Sequence, residues 1–179
     1  MLQITIPENE LFNDSTGEFI SIRKTTLRLE HSLLSLSKWE AKWHVPFLTE
    51  KEKTQEQCID YIRCMTITPN VDPMVYLGLT KENFEAVNNY IDDPATATTI
   101  KETRKSRSRE IVTSEIIYYW MVSLNIPFEC EKWNLNRLIM LVRVCSIKNE
   151  PPKKANRRDL YARNNMLNQQ RRKMLNSTG

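Results

Sequence analysis

The sequence of 179 residues predicts a mainly α fold with a small β component (α+β), in which an N-terminal β-hairpin packs on a bundle of about five helices and a basic helical arm follows. Three observations predict it. Glycine occurs at only Gly17, Gly78 and Gly179, too few for a chain of many tight hairpins or phosphate loops. Period-two alternation is confined to the first thirty residues. Beyond them, apolar residues recur at helical spacing up to the last residues.

The strands come first. Residues 2–6 (LQITI) and 19–29 (FISIRKTTLRL) alternate apolar and polar side chains around PENELFNDSTGE, a stretch rich in turn formers, so an antiparallel hairpin is expected. From Ser32 the period becomes helical. Leu33, Leu36, Trp39 and Trp43 fall close to one face of a helix that ends before Pro46, because the residue preceding a proline resists the α conformation. A second helix is expected to start at Thr49, a good N-cap with Glu50 and Glu52 after it, and to run through Ile59, Ile62 and Cys64 until Pro69. TPNVDPMVYLGL then reads as a connector with a short turn. Thr80 caps a third helix carrying Phe84, Val87 and Ile91 on one face and closing at Asp92-Asp93-Pro94.

Residues 95–110 (ATATTIKETRKSRSRE) read as a charged loop or weak hairpin tip. Its basic residues Lys101, Arg104, Lys105, Arg107 and Arg109 leave open a contact with nucleic acid. Thr113 opens an apolar helix with Ile116, Ile117, Trp120, Met121 and Leu124, and Trp120, Tyr118, Tyr119 and Trp133 are expected to be packing residues. A further helix is expected from Pro127 or Phe128 to Lys148. It carries Leu135, Leu138, Ile139, Val142 and Cys145 on one face and Met140, Leu141 and Val144 on much of the other, which places it centrally in a core or at an interface.

Charge divides the chain into a globular domain at 1–150 and a basic arm at 151–179. The arm holds eight Lys and Arg against Asp159 alone, a net +7, and since the whole chain sums to +4 the first 150 residues carry −3. Within the arm Leu160, Leu167 and Met174 recur every seven residues, a stripe too narrow for a core of its own. The arm is therefore expected to be a helix that docks on another surface.

Chemistry is sparse. His31 and His44 stand thirteen residues apart with no cysteine at ligand spacing, which argues against a zinc site. There is no nucleophile elbow and no phosphate-binding or dinucleotide-binding glycine pattern. Cys58, Cys64, Cys130 and Cys145 lack C-x-x-C spacing and read as reduced packing residues. The expectation is a protein with no catalytic, cofactor or metal residues, working by binding. The N-terminus has no signal-peptide pattern and no run of about 18 apolar residues occurs, so a cytoplasmic location without a membrane partner is expected. The residues expected to touch a partner are Trp39, Trp43, Leu160, Arg163, Leu167, Arg171 and Met174, although Trp39 and Trp43 also suit a core.

The hairpin followed by TLRLEHSLLSLSKWEAKW resembles the opening of small proteins encoded in the tail modules of long-tailed bacteriophages, tail assembly chaperones among them. The segment IPFECEKWNLNRLIMLVRVCSIKNEPPKKANRRDLYARN and the ending NQQRRKMLNSTG are similar to a group of phage tail-region proteins. Together these stretches cover about half the chain. The resemblance implies a non-enzymatic role in tail morphogenesis in the host cytoplasm, through binding of the tape-measure protein or tail subunits. Two alternatives stand beside it. One is a structural virion subunit at the tail or head–tail junction, built by self-assembly; the other is an accessory protein that binds nucleic acid through residues 101–109 and 153–173.

Overall fold

The computed structural model describes residues 1–13, 17–50, 52–100, 111–150 and 157–176. It is an α+β fold with an N-terminal hairpin packed on helices, and the chain divides into two compact units, Met1–Ile147 and Lys148–Gly179.

The hairpin is longer than its alternation suggested. Strands β1 (Leu2–Ile6) and β4 (Thr25–Leu29) pair antiparallel, and β2 (Asn9–Asn13) pairs with β3 (Glu18–Ile22). Leu2 faces Leu29, Ile6 faces Thr25 and Asn9 faces Ile22, so both ladders keep one register and form a single ribbon interrupted beside Pro7. Proline cannot donate to a ladder, which accounts for the break on that side. The stretch expected to be a turn, PENELFNDSTGE, thus contains a strand, and the expected strand at 19–29 is two. No third strand pairs with β2 or β3 among the described residues. The outer edge of β4 is covered instead: Ile67 donates to the Arg28 carbonyl at 2.8 Å, Glu30 to that of Met65 at 2.9 Å, and the Arg28 N–H to Thr68 Oγ1 at 2.9 Å.

Helix α1 (Leu33–Trp43) begins at Ser32, whose side chain accepts the Ser35 N–H while Ser35 Oγ accepts the Ser32 N–H, a capping box that satisfies two orphan donors. It ends on His44 in the left-handed region at φ 54°, ahead of Pro46. Helix α2 (Gln55–Met65) starts at Thr54 rather than Thr49, because Gln57 completes a capping box with Thr54. It ends at Met65, short of Pro69, where the chain turns to cover β4.

A 3-10 turn at Pro73–Gly78 lies under the ribbon. A Cβ on Gly78 would stand 3.0 Å from methyls of both Ile6 and Ile22, so only glycine lets the turn come this close. Helix α3 (Lys81–Asp92) is capped by Thr80 as its sequence indicates. Helix α4 (Ser114–Ser123) buries Ile117 and Met121 but leaves Tyr119 68% exposed, so Tyr119 is not a packing residue.

The expected helix from Pro127 to Lys148 is broken. A 3-10 turn at Phe128–Lys132 ends at Trp133, and α5 (Leu135–Asn149) starts afresh with Leu135 donating to the His31 carbonyl at 2.7 Å. That bond ties the second half of the chain to the end of β4, which a continuous helix could not do. Leu135, Leu138 and Val142 are buried, whereas Met140, Leu141 and Val144 are half-buried. The core joins the inward face of the ribbon (Ile4, Ile6, Leu27, Leu29) to Leu33, Leu36 and Trp39 of α1 and to these residues of α4 and α5. In the second unit α6 (Arg157–Leu175) is a helix of 19 residues. Among the described residues no helix is long and apolar enough to cross a membrane.

Candidate partner-binding surfaces

Burial governs the chemistry of His31, Tyr61, Cys58 and Cys64. His31 is buried, with Nδ1 2.6 Å from the Tyr61 hydroxyl, and burial lowers its pKa to about 4 against the opposing pull of Glu30 and Asp92. Burial also pushes the Tyr61 phenol well up. Cys58 and Cys64 are free thiols held above their ordinary pKa by burial, the opposite of what a nucleophilic cysteine needs. Among the described residues no three His, Cys, Asp or Glu side chains gather where they could hold a metal ion.

An open cleft of about 510 Å3 lies between α1, α2 and the Pro73 turn, with Lys38, Lys42 and Arg63 on its walls. Its polar groups largely answer one another. Asp60 binds the Lys42 ammonium at 2.5 Å and lies 3.9 Å from Arg63, whose guanidinium covers the Tyr76 ring. Tyr76 in turn donates to Thr66 at 3.0 Å. The cleft is therefore a satisfied polar seam between two helices.

Trp39 and Trp43 part company. Trp39 is fully enclosed; its indole N–H donates to the Gln57 carbonyl at 2.9 Å and Phe47 meets its ring edge-on at 5.0 Å. It offers no surface to a partner in this structure. Trp43 is half-buried and donates to Asp60 Oδ2 at 3.0 Å, so its exposed edge is held in one orientation.

The arm residues are presented differently. Leu160, Leu167 and Met174 are 47%, 41% and 86% exposed, and Arg163 and Arg171 are exposed with them. At 100° per residue, Asn164 and Arg171 fall between the three apolar residues on the same face, at alternating spacings of four and three. The face is a narrow apolar seam with a cation inside it. The basic cluster at 101–109 and Lys153 and Lys154 lie outside the described residues.

The end of the ribbon carries a second apolar surface that the alternation did not announce. Phe12 and Phe19 are direct cross-strand partners with ring centroids 5.1 Å apart, and they are 54% and 71% exposed. Leu11 and Ile20, on the opposite face, pack against the core. The mirrored order Leu11-Phe12 and Phe19-Ile20 about the turn is the signal that could have found the pair.

No protein-family model, curated protein or solved structure matches the chain.

Proposed function

We propose that the chain is a non-enzymatic phage tail morphogenesis protein, tail assembly chaperone-like, that holds tail or tape-measure proteins through its basic C-terminal arm in the host cytoplasm. The observation that carries the reading is α6: three large apolar side chains on one face of an exposed helix, with Arg163 and Arg171 alongside. Burying the exposed remainder against a partner helix contributes up to about 1.5–3 kcal/mol for Met174 and about half that for Leu160 and Leu167, and the surrounding cations steer the arm toward an acidic surface. The phage assignment rests on the resemblance of the opening hairpin with α1 and of the segment from Ile126 onward.

The test replaces Leu160, Leu167 and Met174 together by Ser and measures co-purification with tail proteins from infected cells. The expected result is loss of those proteins at unchanged recovery of the chain; undiminished recovery of the tail proteins removes the arm from the mechanism. The exposed Arg163, Arg171, Arg172 and Lys173 favour a second reading, nucleic-acid binding. That reading requires an affinity falling steeply with salt, and a flat or undetectable response at low salt with duplex DNA, single-stranded DNA and RNA eliminates it.

A further inference from the structure

We propose that the β2–β3 ribbon is a docking surface for the arm of a second copy of this chain, so that the protein joins itself head to tail. The inference rests on the reading of the arm as a docking element and names one surface that it fits.

Charge is the first argument. Residues 1–22 contain Glu8, Glu10, Asp14 and Glu18 and no Lys or Arg, a net −4, opposite the +7 of residues 151–179. Contacts between like features are disfavoured: two arms laid together set +7 against +7, and two ribbons bring acid against acid. The crossed pairing sets cation against anion.

Shape and polarity agree with the charge. Phe12 and Phe19 turn a paired aromatic surface to solvent, with Glu10 two residues along the same strand face. The seam of Leu160, Leu167 and Met174 supplies the apolar counterpart, and Arg163 and Arg171 can reach Glu10 or the ring faces. The ribbon can receive a helix on this face because Leu11 and Ile20 anchor its other face to the core. A contact of this kind joins different surfaces on the two partners, and repetition gives a closed ring or an open filament.

The test is solution mass by light scattering on the full chain, over a range of concentrations, in salt of about 0.05 M and then about 0.5 M. The expected mass at low salt and high concentration is at least about twice that of the monomer, falling toward monomer as salt rises. Two variants locate the contact: Phe12→Ser with Phe19→Ser in the ribbon, and Leu160→Ser, Leu167→Ser and Met174→Ser in the arm. All five positions are exposed, and circular dichroism verifies that both variants stay folded. Each alone should be monomeric, while a mixture should form a dimer and nothing larger, because the ribbon variant keeps its arm and the arm variant its ribbon. A wild-type chain that stays monomeric throughout overturns the proposal, as does a mixture that forms no dimer. Co-purification of tail proteins with the arm variant, set beside the wild-type mass, separates the two readings. If wild type is monomeric and the arm variant still loses tail proteins, self-docking alone fails; if the arm variant keeps both self-association and tail proteins, the reading of the arm itself fails.

Discussion

Glu40, on the buried side of α1, accepts the backbone N–H of Ser114 at 2.7 Å with one carboxylate oxygen and that of Phe47 at 2.9 Å with the other. One side chain thereby satisfies the first turn of α4 and closes the loop after α1, and its negative charge sits where the α4 dipole is positive. Glu40→Ala strands two buried donors and should cost about 2–4 kcal/mol of stability in urea unfolding. Glu40→Gln keeps one acceptor and should cost less. Equal losses for the two variants refute the hydrogen-bonding account.

His31 makes stability depend on pH in a definite direction. Its pKa is about 4 in the folded protein against 6.5 in an unfolded chain, so the unfolded state takes up the proton first as pH falls. The contribution is fully present above pH 6.5 and is lost as pH drops through about 4, a change of about 3 kcal/mol. The unfolding free energy of the wild type should therefore fall more steeply between these limits than that of His31→Gln. Parallel profiles contradict the burial of a neutral imidazole beside Tyr61.

Gly78 should resist enlargement. In Gly78→Ala the new methyl meets fully buried Ile6 and Ile22 at 3.0 Å, and neither side chain ends in free space. The expected loss is about 1–3 kcal/mol by thermal or chemical unfolding. Relief should come from Ile22→Val in the same chain, which removes a methyl group from the contact; a double variant no more stable than Gly78→Ala rules out the steric origin.

Asp60 contributes through the Trp43 indole more than through its ion pairs. Lys42 and Arg63 are about half exposed, so their pairs with Asp60 are screened and weak. Asp60→Asn should cost under about 1 kcal/mol, since an amide oxygen can still accept from Trp43. Asp60→Ala should cost about 1–2 kcal/mol and shift the tryptophan fluorescence as the indole N–H loses its acceptor. A loss in Asp60→Asn as large as that in Asp60→Ala would show that charge dominates.

Much of this fold is legible in the sequence because its signals are local. Ser32 with α1 and Thr80 with α3 declare themselves through capping chemistry and apolar spacing within a dozen residues. The misplacements have local causes too. Thr49 and Thr54 are both acceptable caps, and the choice falls to Gln57, three residues after Thr54. The break at Trp133 is not local: it depends on Leu135 donating to a carbonyl more than a hundred residues earlier, which no window of sequence contains. The same holds for the sites. The apolar stripe of α6 shows in a seven-residue period, whereas Trp39 and Trp43 share a period and differ in burial only because α2 and Phe47 close over one of them. The Phe12–Phe19 pair escaped because turn-forming residues on either side of β2 masked its strand character.

The common register of the two ladders has a kinetic consequence. Loop-closure entropy is smallest for the rung nearest the turn, Asn13 with Glu18, and each further rung lengthens the closed loop by only two residues. The ribbon can thus zip outward from its tip through contacts of low sequence separation until Leu2 meets Leu29. Only then does the end of β4 stand ready as a template on which Met65, and much later Leu135, find their partners. By loop-closure entropy those two arrivals, across far longer separations, are expected to come late, and the aromatic tip, whose strands are joined by the shortest loop, early.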